Sequence, residues 1–225
     1  EKVRTFQTFL WKDLPDNLIP ADWYSPDEIK RFRLSSKSHW DLPAQISNKV
    51  IHLLISHPTP PGFDGAENRN GRRNYDEIRM WVHYLNNDSV LVDDNGIRGG
   101  LAPDAHFILA GDLNAGPRGD TLSTGQRSID QLLDHPRIQD CGHWLTSQGA
   151  LKGRDPGPPH FFERRTSWWG DRGLRIDHLF PDTALKAVNG GVFWPDSGVD
   201  PADATLAKTA SDHRLIWLDI DVSGD

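Results

Sequence analysis

Cysteine, long apolar runs and positive charge are scarce in this sequence of 225 residues. Its one cysteine, Cys141, excludes an intramolecular disulfide and is expected to be a small buried side chain. No stretch approaches the roughly 20 apolar residues of a transmembrane helix, so we expect no membrane span. Residues 1–10 lack the pattern of a signal peptide. A single cysteine also gives little indication of whether the protein works in an oxidising or a reducing compartment. The sequence therefore leaves secreted, periplasmic and cytoplasmic locations open.

The charge balance is negative, with 25 Lys and Arg against 32 Asp and Glu and a net charge of −7. A protein that binds nucleic acid mainly through its overall electrostatic field is usually basic, so this balance argues against such a protein. It still allows a locally basic cleft. Apolar residues make up 36% of the chain, enough for one substantial core at this length, so we expect a single globular domain over residues 1–225.

Strands are predicted where nearly every residue is apolar or β-branched. Residues 50–57 (VIHLLISH) and 106–114 (HFILAGDLN) have the pattern of strands that are covered on both faces. Residues 174–180 (LRIDHLF) and 213–222 (HRLIWLDIDV) are two further strand-like segments. The chain therefore offers several strands for one buried sheet.

An amphipathic helix is predicted between the first two of these strands. Its apolar stripe follows the spacing i, i+3, i+4 and i+7, at Ile78, Trp81, Val82 and Leu85. Asn74, followed three residues later by Glu77, is typical of a capping pair, so we expect the helix to begin near residue 74. Residues 127–135 predict a second, shorter helix. Strands that alternate with helices predict an α/β fold.

Polar residues able to act on a phosphate lie at the ends of the four strand-like segments: His57, Asp112 with Asn114, Asp177, and Asp212 with His213. Each has an ordinary structural explanation, such as a strand-edge histidine, a turn-forming aspartate, a carboxylate paired with Arg175, or an Asx turn. Their coincidence at four strand ends nevertheless predicts one site.

Phosphodiester hydrolysis explains these residue types, because it needs a divalent cation, an oriented water and donors to the phosphoryl oxygens. Asp112 would orient or deprotonate the water, and the amide of Asn114 would donate to a phosphoryl oxygen. Asp212 is the candidate metal ligand for Mg²⁺, with Mn²⁺ and Ca²⁺ as alternatives, because hard cations take carboxylate oxygens. His213 would contact the phosphate or act as acid or base, with Asp177 holding its ring.

The ordered motifs SHPTPP, GDLNA, RIDHLF and SDHRLIWLDI resemble the endonuclease/exonuclease/phosphatase superfamily, the fold of pancreatic-type deoxyribonuclease, over essentially the whole chain. Other segments resemble a bacterial branch of that superfamily. The resemblance implies a β-sandwich flanked by helices in four α-β-β-α layers, and metal-dependent phosphoester hydrolysis. It assigns a second phosphate contact to His57. It also makes Lys37 and His39 candidate substrate contacts, with a solvated hairpin as an equal alternative.

The resemblance also implies that a part is missing. Members usually begin with a strand bearing an asparagine and a second strand ending in a metal-binding glutamate, whereas residues 1–15 resemble the strand that follows that half. We therefore expect residues 1–225 to supply mainly the C-terminal half of such a domain. The exposed sheet would then pair with the missing N-terminal half or with a second copy, and the chain alone would show negligible hydrolysis.

The predicted function is that of a metal-dependent phosphodiesterase or phosphatase. The net charge of −7 favours a small phosphoester over nucleic acid as the substrate. A non-specific nuclease and a non-catalytic fragment or binding module without the glutamate ligand stay open as alternatives. Trp168 and Trp169 would stack a base or headgroup in an active protein, or would pack a loop onto the core.

Overall fold

The computed structural model describes residues 2–118, 122, 125–152, 164–169 and 172–222. The strands are β1 (Arg4–Thr5), β2 (His39–Ile46), β3 (Lys49–Ser56), β4 (His106–Asp112), β5 (Ser167–Trp169), β6 (Arg172–Leu174), β7 (Asp177–Pro181), β8 (Lys186–Val192) and β9 (Ile216–Asp221). The α-helices are α1 (Pro26–Ile29), α2 (Arg69–Leu85), α3 (Asp130–Leu133) and α4 (Pro201–Ala210). Short 3₁₀ helices cover Trp11–Asp13 and Gly149–Lys152. None of the helices in these ranges is long and apolar enough to cross a membrane.

The main sheet has five strands in the order β1-β2-β3-β4-β7. β3 and β4 are parallel, and the other neighbours in the sheet are antiparallel. A parallel pair needs a crossover connection, and helix α2 lies in the segment between β3 and β4. Two separate two-stranded antiparallel sheets are formed by β5 with β6 and by β8 with β9, and helix α4 lies in the connection between β8 and β9. The α/β class predicted from the sequence is confirmed.

The core lies between α2 and one face of the main sheet. Leu54, Leu109 and Phe180 occupy directly paired positions on β3, β4 and β7, and all three are buried. From the helix, Ile78 and Trp81 join the same apolar cluster, as the spacing of the apolar stripe predicts. Cys141 is also buried, as expected of a lone thiol.

The opposite face of the sheet carries a row of apolar side chains that are half-buried or exposed. We call it the open face, and it is formed by Trp40, Leu42, Leu53, Ile55, Ile108, Ala110 and Leu179. Successive residues of a strand point to opposite faces, so Asp112, the last residue of β4, and Asp177, the first residue of β7, continue this row. These two carboxylates therefore lie on the same side of the sheet as the open face.

Two local predictions were wrong. Helix α2 begins at Arg69, five residues before the expected start, because the Asp64 carboxylate accepts hydrogen bonds from the N–H groups of Asn70 and Gly71 and so caps the first turn. Asn74 and Glu77 are instead buried inside the helix. The single strand predicted for residues 174–180 is divided, because β6 ends at Leu174 and β7 begins at Asp177.

Candidate active site

Side chains from several strand ends converge at one edge of the main sheet. Asp112 is the last residue of β4 and is paired directly with Asp177, the first residue of β7. His57 follows β3, which runs parallel to β4 and therefore ends at the same edge. His213 reaches the cluster through a short antiparallel bridge to Ser167. The structure thus brings together four of the residues that the sequence singled out.

The ring of His213 is held by Asp177. Its Nδ1 atom lies 3.0 Å and 2.9 Å from the two carboxylate oxygens. Thr166 donates its hydroxyl hydrogen to Asp177 Oδ2 at 2.6 Å. Burial disfavours the charged ring, but the hydrogen bond and charge of Asp177 outweigh it, so the pKa of His213 is raised. The imidazolium form of His213 is therefore favoured by its surroundings.

Asp112 lies between the two histidines. Its Oδ2 atom is 3.3 Å from Nε2 of His57 and 3.8 Å from Nε2 of His213. Burial and the like charge of Asp177 raise the pKa of Asp112, although the hydrogen bond from the N–H of Asn114 opposes them. A carboxylate whose pKa is raised in this way accepts a proton more readily than an exposed one.

Burial has the opposite effect on His57. Desolvation lowers its pKa, the positive charge of Lys37 adds to this, and the charge of Asp112 opposes it. The pKa values of the two histidines that flank Asp112 are therefore shifted in opposite directions. This separation gives the cluster one ring that favours the charged form and one that favours the neutral form.

The backbone at the end of β4 is shaped by Gly111 and Asn114. A Cβ on Gly111 would lie 2.0 Å from the carbonyl oxygen of Ser56, so β3 and β4 approach too closely here for any side chain. Asn114 has φ 49°, a left-handed conformation that asparagine tolerates well. Its backbone N–H donates to Asp112 Oδ1 at 2.9 Å, and its side-chain N–H donates to the Pro58 carbonyl at 3.1 Å. The amide retains a second N–H for another partner.

Two buried residues of α2 hold the loops beside the site, although the sequence pattern indicated only a helix cap at these positions. Asn74 donates to the carbonyls of Thr59 and Leu113, at 2.9 Å and 3.0 Å, and so joins the loops that follow β3 and β4. Glu77 accepts from the N–H and hydroxyl of Ser36 and from the N–H of Thr59. Both residues continue the apolar stripe of the helix, and polar residues on a buried face were the signal that could have identified them.

Lys37 and His39 differ in their placement. Lys37 is exposed, and its charge acts on His57. His39 is buried, with Nδ1 3.0 Å from the Ser35 hydroxyl and Nε2 2.9 Å from the Glu77 carbonyl. The proposed substrate contact at His39 is therefore corrected, because both ring nitrogens are used inside the core. His39 is a structural histidine at the start of β2.

A group of candidate metal ligands is present among the described residues. Single atoms of Asp112, Asp177 and His213 lie within 4.8 Å of one another. The His213–Asp177 hydrogen bond occupies Nδ1 of the ring and both carboxylate oxygens, so direct ligation by all three would compete with that pair. Asp212, the ligand expected from the sequence, is outside this group and is exposed beside His213, where its charge also raises the pKa of that ring.

A cavity of about 830 Å³ adjoins the cluster. Asn114, Asp212 and His213 line it on the side of the cluster, and Phe63 and Trp168 are aromatic members of its wall. Trp168 of β5 packs edge-on against the ring of Trp194 at 5.8 Å, and it also lines the cavity. The side chain of Trp169 lies outside the described part of the chain.

Comparison with known proteins gives one family assignment. A profile described as "Endonuclease/Exonuclease/phosphatase family" matches residues 2–213. A search of curated proteins gave no match. An endonuclease/exonuclease/phosphatase from Beutenbergia cavernae is similar in structure, with 18% identity, a TM-score of 0.56, and coverage of 100% of this chain and 45% of that one. At this identity, the likeness shows the fold alone.

Two further solved structures have lower TM-scores. A family protein from Leptotrichia buccalis has 15% identity and a TM-score of 0.48, with 84% of this chain and 55% of that one covered. A mannosyl-6-phosphatase from Bacteroides thetaiotaomicron has 13% identity and a TM-score of 0.45, with 82% and 55% covered. This chain thus spans about half the length of the solved structures that it matches. On the extent of the profile match, the chain belongs to the endonuclease/exonuclease/phosphatase family.

Proposed function

We propose that this protein is a metal-dependent phosphoester hydrolase, either a phosphodiesterase or a phosphatase. The observation that carries the proposal is the His213–Asp177 pair facing the carboxylate of Asp112, with Nε2 of His213 3.8 Å from Asp112 Oδ2. The family to which the chain belongs comprises hydrolases of phosphoesters. A base, a charged imidazole and an amide donor at one edge are the groups that this reaction needs.

Each side chain has a role that follows from its position. Asp112 accepts a proton from, or orients, the attacking water, because its raised pKa suits a base. His213 presents Nε2 to the phosphate and stabilises the charge that grows on its oxygens, while Asp177 positions the ring through Nδ1. Asn114 donates its remaining amide N–H to a phosphoryl oxygen, and His57 supplies a second contact. Lys37, whose charge reaches His57, is a further candidate contact.

The residues present fit a hydrated divalent cation. Mg²⁺ usually keeps several waters and takes one or two protein carboxylates. The exposed carboxylate of Asp212 beside His213 would hold such a cation on the cavity wall. When bound, Mg²⁺ or Mn²⁺ would neutralise phosphate charge.

The cavity favours a small substrate. Its volume of about 830 Å³ falls within the range of small-molecule sites, roughly 300–1,000 Å³. The net charge of −7 points in the same direction. We therefore propose a small phosphoester as the substrate, with a non-specific nuclease and a non-catalytic binding module as the outcomes to be tested.

The test is hydrolysis by the complete gene product. Release of 4-nitrophenol would be measured from 4-nitrophenyl phosphate and from its bis ester, with Mg²⁺, with Mn²⁺ and with a chelator. We expect turnover of at least one ester that requires the metal. Hydrolysis of single-stranded DNA at a higher kcat/KM would favour a nuclease. A folded, metal-supplied protein that cleaves none of these would support the binding module.

A further inference from the structure

The cavity beside the cluster has a basic wall, although the protein as a whole is acidic. The chain carries a net charge of −7. The described residues that line the cavity nevertheless include five arginines and only two carboxylates, those of Asp140 and Asp212. We call the five the arginine wall: Arg118, Arg127, Arg164, Arg165 and Arg175. A concave surface with charge of one sign attracts ligands of the opposite charge, so this cavity favours anions.

A phosphate bound at the cluster does not account for this wall. The strongest charge effects on the pKa values of Asp112 and His213 come from other aspartate and histidine side chains of the cluster and from Asp212. The cationic side chain of lysine or arginine that acts most strongly on His57 is Lys37. The cavity, of about 830 Å³, extends beyond the residues of the cluster. The organic part of a phosphoester would lie in that space, beside the arginine wall.

Two members of the wall occupy positions that neighbouring glycines make possible. A Cβ on Gly142 would lie 2.6 Å from Nη1 of Arg175. A Cβ on Gly173 would collide with the side chain of Arg165. Asp140 also accepts a hydrogen bond from Nη2 of Arg175 at 2.6 Å. Close packing therefore holds these guanidinium groups in the wall before a ligand binds, which lowers the entropic cost of binding.

Arg164 differs from these two residues because its charge has no partner in the described part of the chain. It forms no hydrogen bond or ion pair with the described residues, and its Nε atom is buried without an acceptor. The residue is half-buried and lines the cavity. Burying part of a guanidinium without an acceptor costs free energy, which an anion at its other N–H donors would offset. The position of Arg164 therefore favours an anionic ligand in the cavity.

We propose that the arginine wall, and Arg164 in particular, binds a second anionic group of the substrate. The inference rests on the proposed function, because it places the first phosphate at Asn114 and His213. Arginine suits this role, since its planar set of N–H donors matches the oxygens of a phosphate or a carboxylate and its charge is permanent. The substrate class is thus a small phosphoester whose organic part carries a second phosphate or a carboxylate.

Binding of matched phosphonates to the complete gene product tests this inference without turnover. Propylphosphonate and propane-1,3-diphosphonate share a carbon chain and differ in the second anionic group, and 4-phosphonobutyrate carries a carboxylate in its place. By calorimetry, we expect at least one of the two ligands with a second group to bind about tenfold more tightly than propylphosphonate. The tighter of the two identifies the chemistry of that group. The preference should appear with Mg²⁺ and in metal-free buffer alike, because guanidinium groups cause it.

A charge-removing variant and added salt should both reduce this preference. Arg164→Gln removes the charge and keeps a polar side chain, so most of the tenfold difference should be lost. Arg98→Gln is the control and should leave all three affinities unchanged. Arg98 is exposed in the segment before β4, at the opposite end of that strand from Asp112. In the wild type, raising NaCl to about 0.5 M should also weaken the preference, since salt screens charges.

Binding and turnover separate this inference from the proposed function. Equal affinities for the three phosphonates, a preference confined to buffer with Mg²⁺, or a preference that survives in Arg164→Gln would overturn the inference. Tighter binding of single-stranded DNA than of the diphosphonate, at equal phosphorus concentration, would also overturn it, since the ligand would then be a polyanion. Absence of phosphate release from propane-1,3-diol bisphosphate and from the 4-nitrophenyl esters, with the binding preference intact, would overturn only the proposed function.

Discussion

At the scale of single residues, the carboxylate of Asp177 forms hydrogen bonds with two different side chains. It holds Nδ1 of His213 at 2.9 Å, and it accepts the hydroxyl hydrogen of Thr166 at 2.6 Å. Thr166 in turn accepts the backbone N–H of Asp177 at 3.2 Å. The carboxylate is therefore fixed before a ligand arrives, and the orientation of His213 follows from it.

Replacement of His213 by alanine tests the central role of this ring. In the complete gene product, we expect His213→Ala to lower turnover by roughly 10²-fold to 10⁴-fold, because a positioned acid, base or cationic donor is lost. The fold should be unchanged, since the ring is part of a solvent-accessible cleft. His83→Ala is the control, because the ring of His83, in the last turn of α2, pairs with Asp88 beyond the end of that helix. Unchanged turnover in a folded His213→Ala variant would remove this residue from the mechanism.

His178 gives the folded state a pH dependence of its own. Its Nε2 donates to the Ala115 carbonyl at 2.8 Å, and burial lowers its pKa to about 3. The unfolded chain binds a proton near pH 6.5 and the folded chain does not, so stability is fully present above about pH 6.5 and falls towards pH 3.

The measurement is the free energy of unfolding by urea at pH 7.5 and pH 5.0. Between these values the wild type should lose about 2 kcal/mol more than His178→Gln, which has no titrating ring. The difference between the two proteins at pH 7.5 gives the packing cost of the substitution alone. Parallel pH dependences of the two proteins would show that His178 is protonated in the folded state.

At the scale of secondary structure, α2 connects the segments that carry the cluster. Glu77 accepts from Ser36, next to Lys37, and from Thr59, two residues after His57. Asn74 holds Thr59 and Leu113, which precedes Asn114. The helix thus fixes the relative positions of these loops, which the hydrogen bonds of the sheet do not constrain.

Glu77→Gln tests this connection. An amide in place of the carboxylate leaves at least one backbone N–H facing another donor in a buried position, which should cost about 2–4 kcal/mol of unfolding free energy. Turnover should fall as well, because the loops beside His57 and Lys37 are no longer held. Glu28→Gln is the control, since glutamine also forms the capping box of α1. Equal urea midpoints for Glu77→Gln and the wild type would show that the loops are held elsewhere.

At the scale of the whole molecule, the open face leaves apolar side chains in contact with solvent. Trp40 on this face is 41% exposed, and its paired neighbour Ile55 is half-buried. Covering even about 400 Å² of apolar surface contributes about 10 kcal/mol, which is comparable to the stability of a domain. An uncovered face of this kind favours association.

We therefore expect residues 1–225 to self-associate through the open face. Light scattering after size-exclusion chromatography gives the mass, and Trp40→Lys should shift it towards the monomer. Trp23→Lys is the matched control, because Trp23 is 50% exposed and lies outside the open face. A wild type that is monomeric at the same concentration would contradict this expectation.

The sequence by itself determined strands β3, β4 and β9, the α/β class and the ordered polar residues at the strand ends, because apolar runs, turn residues and motif order are local properties of a chain. Only the tertiary structure decided which of those residues meet. It placed His39 in the core, and it placed Asp212 outside the group of candidate metal ligands. It also showed that Asn74 and Glu77, expected to form a helix cap, bind two loops instead. These outcomes depend on contacts between residues that are far apart in the chain. Packing and strand register determine such contacts, and local sequence patterns do not contain them.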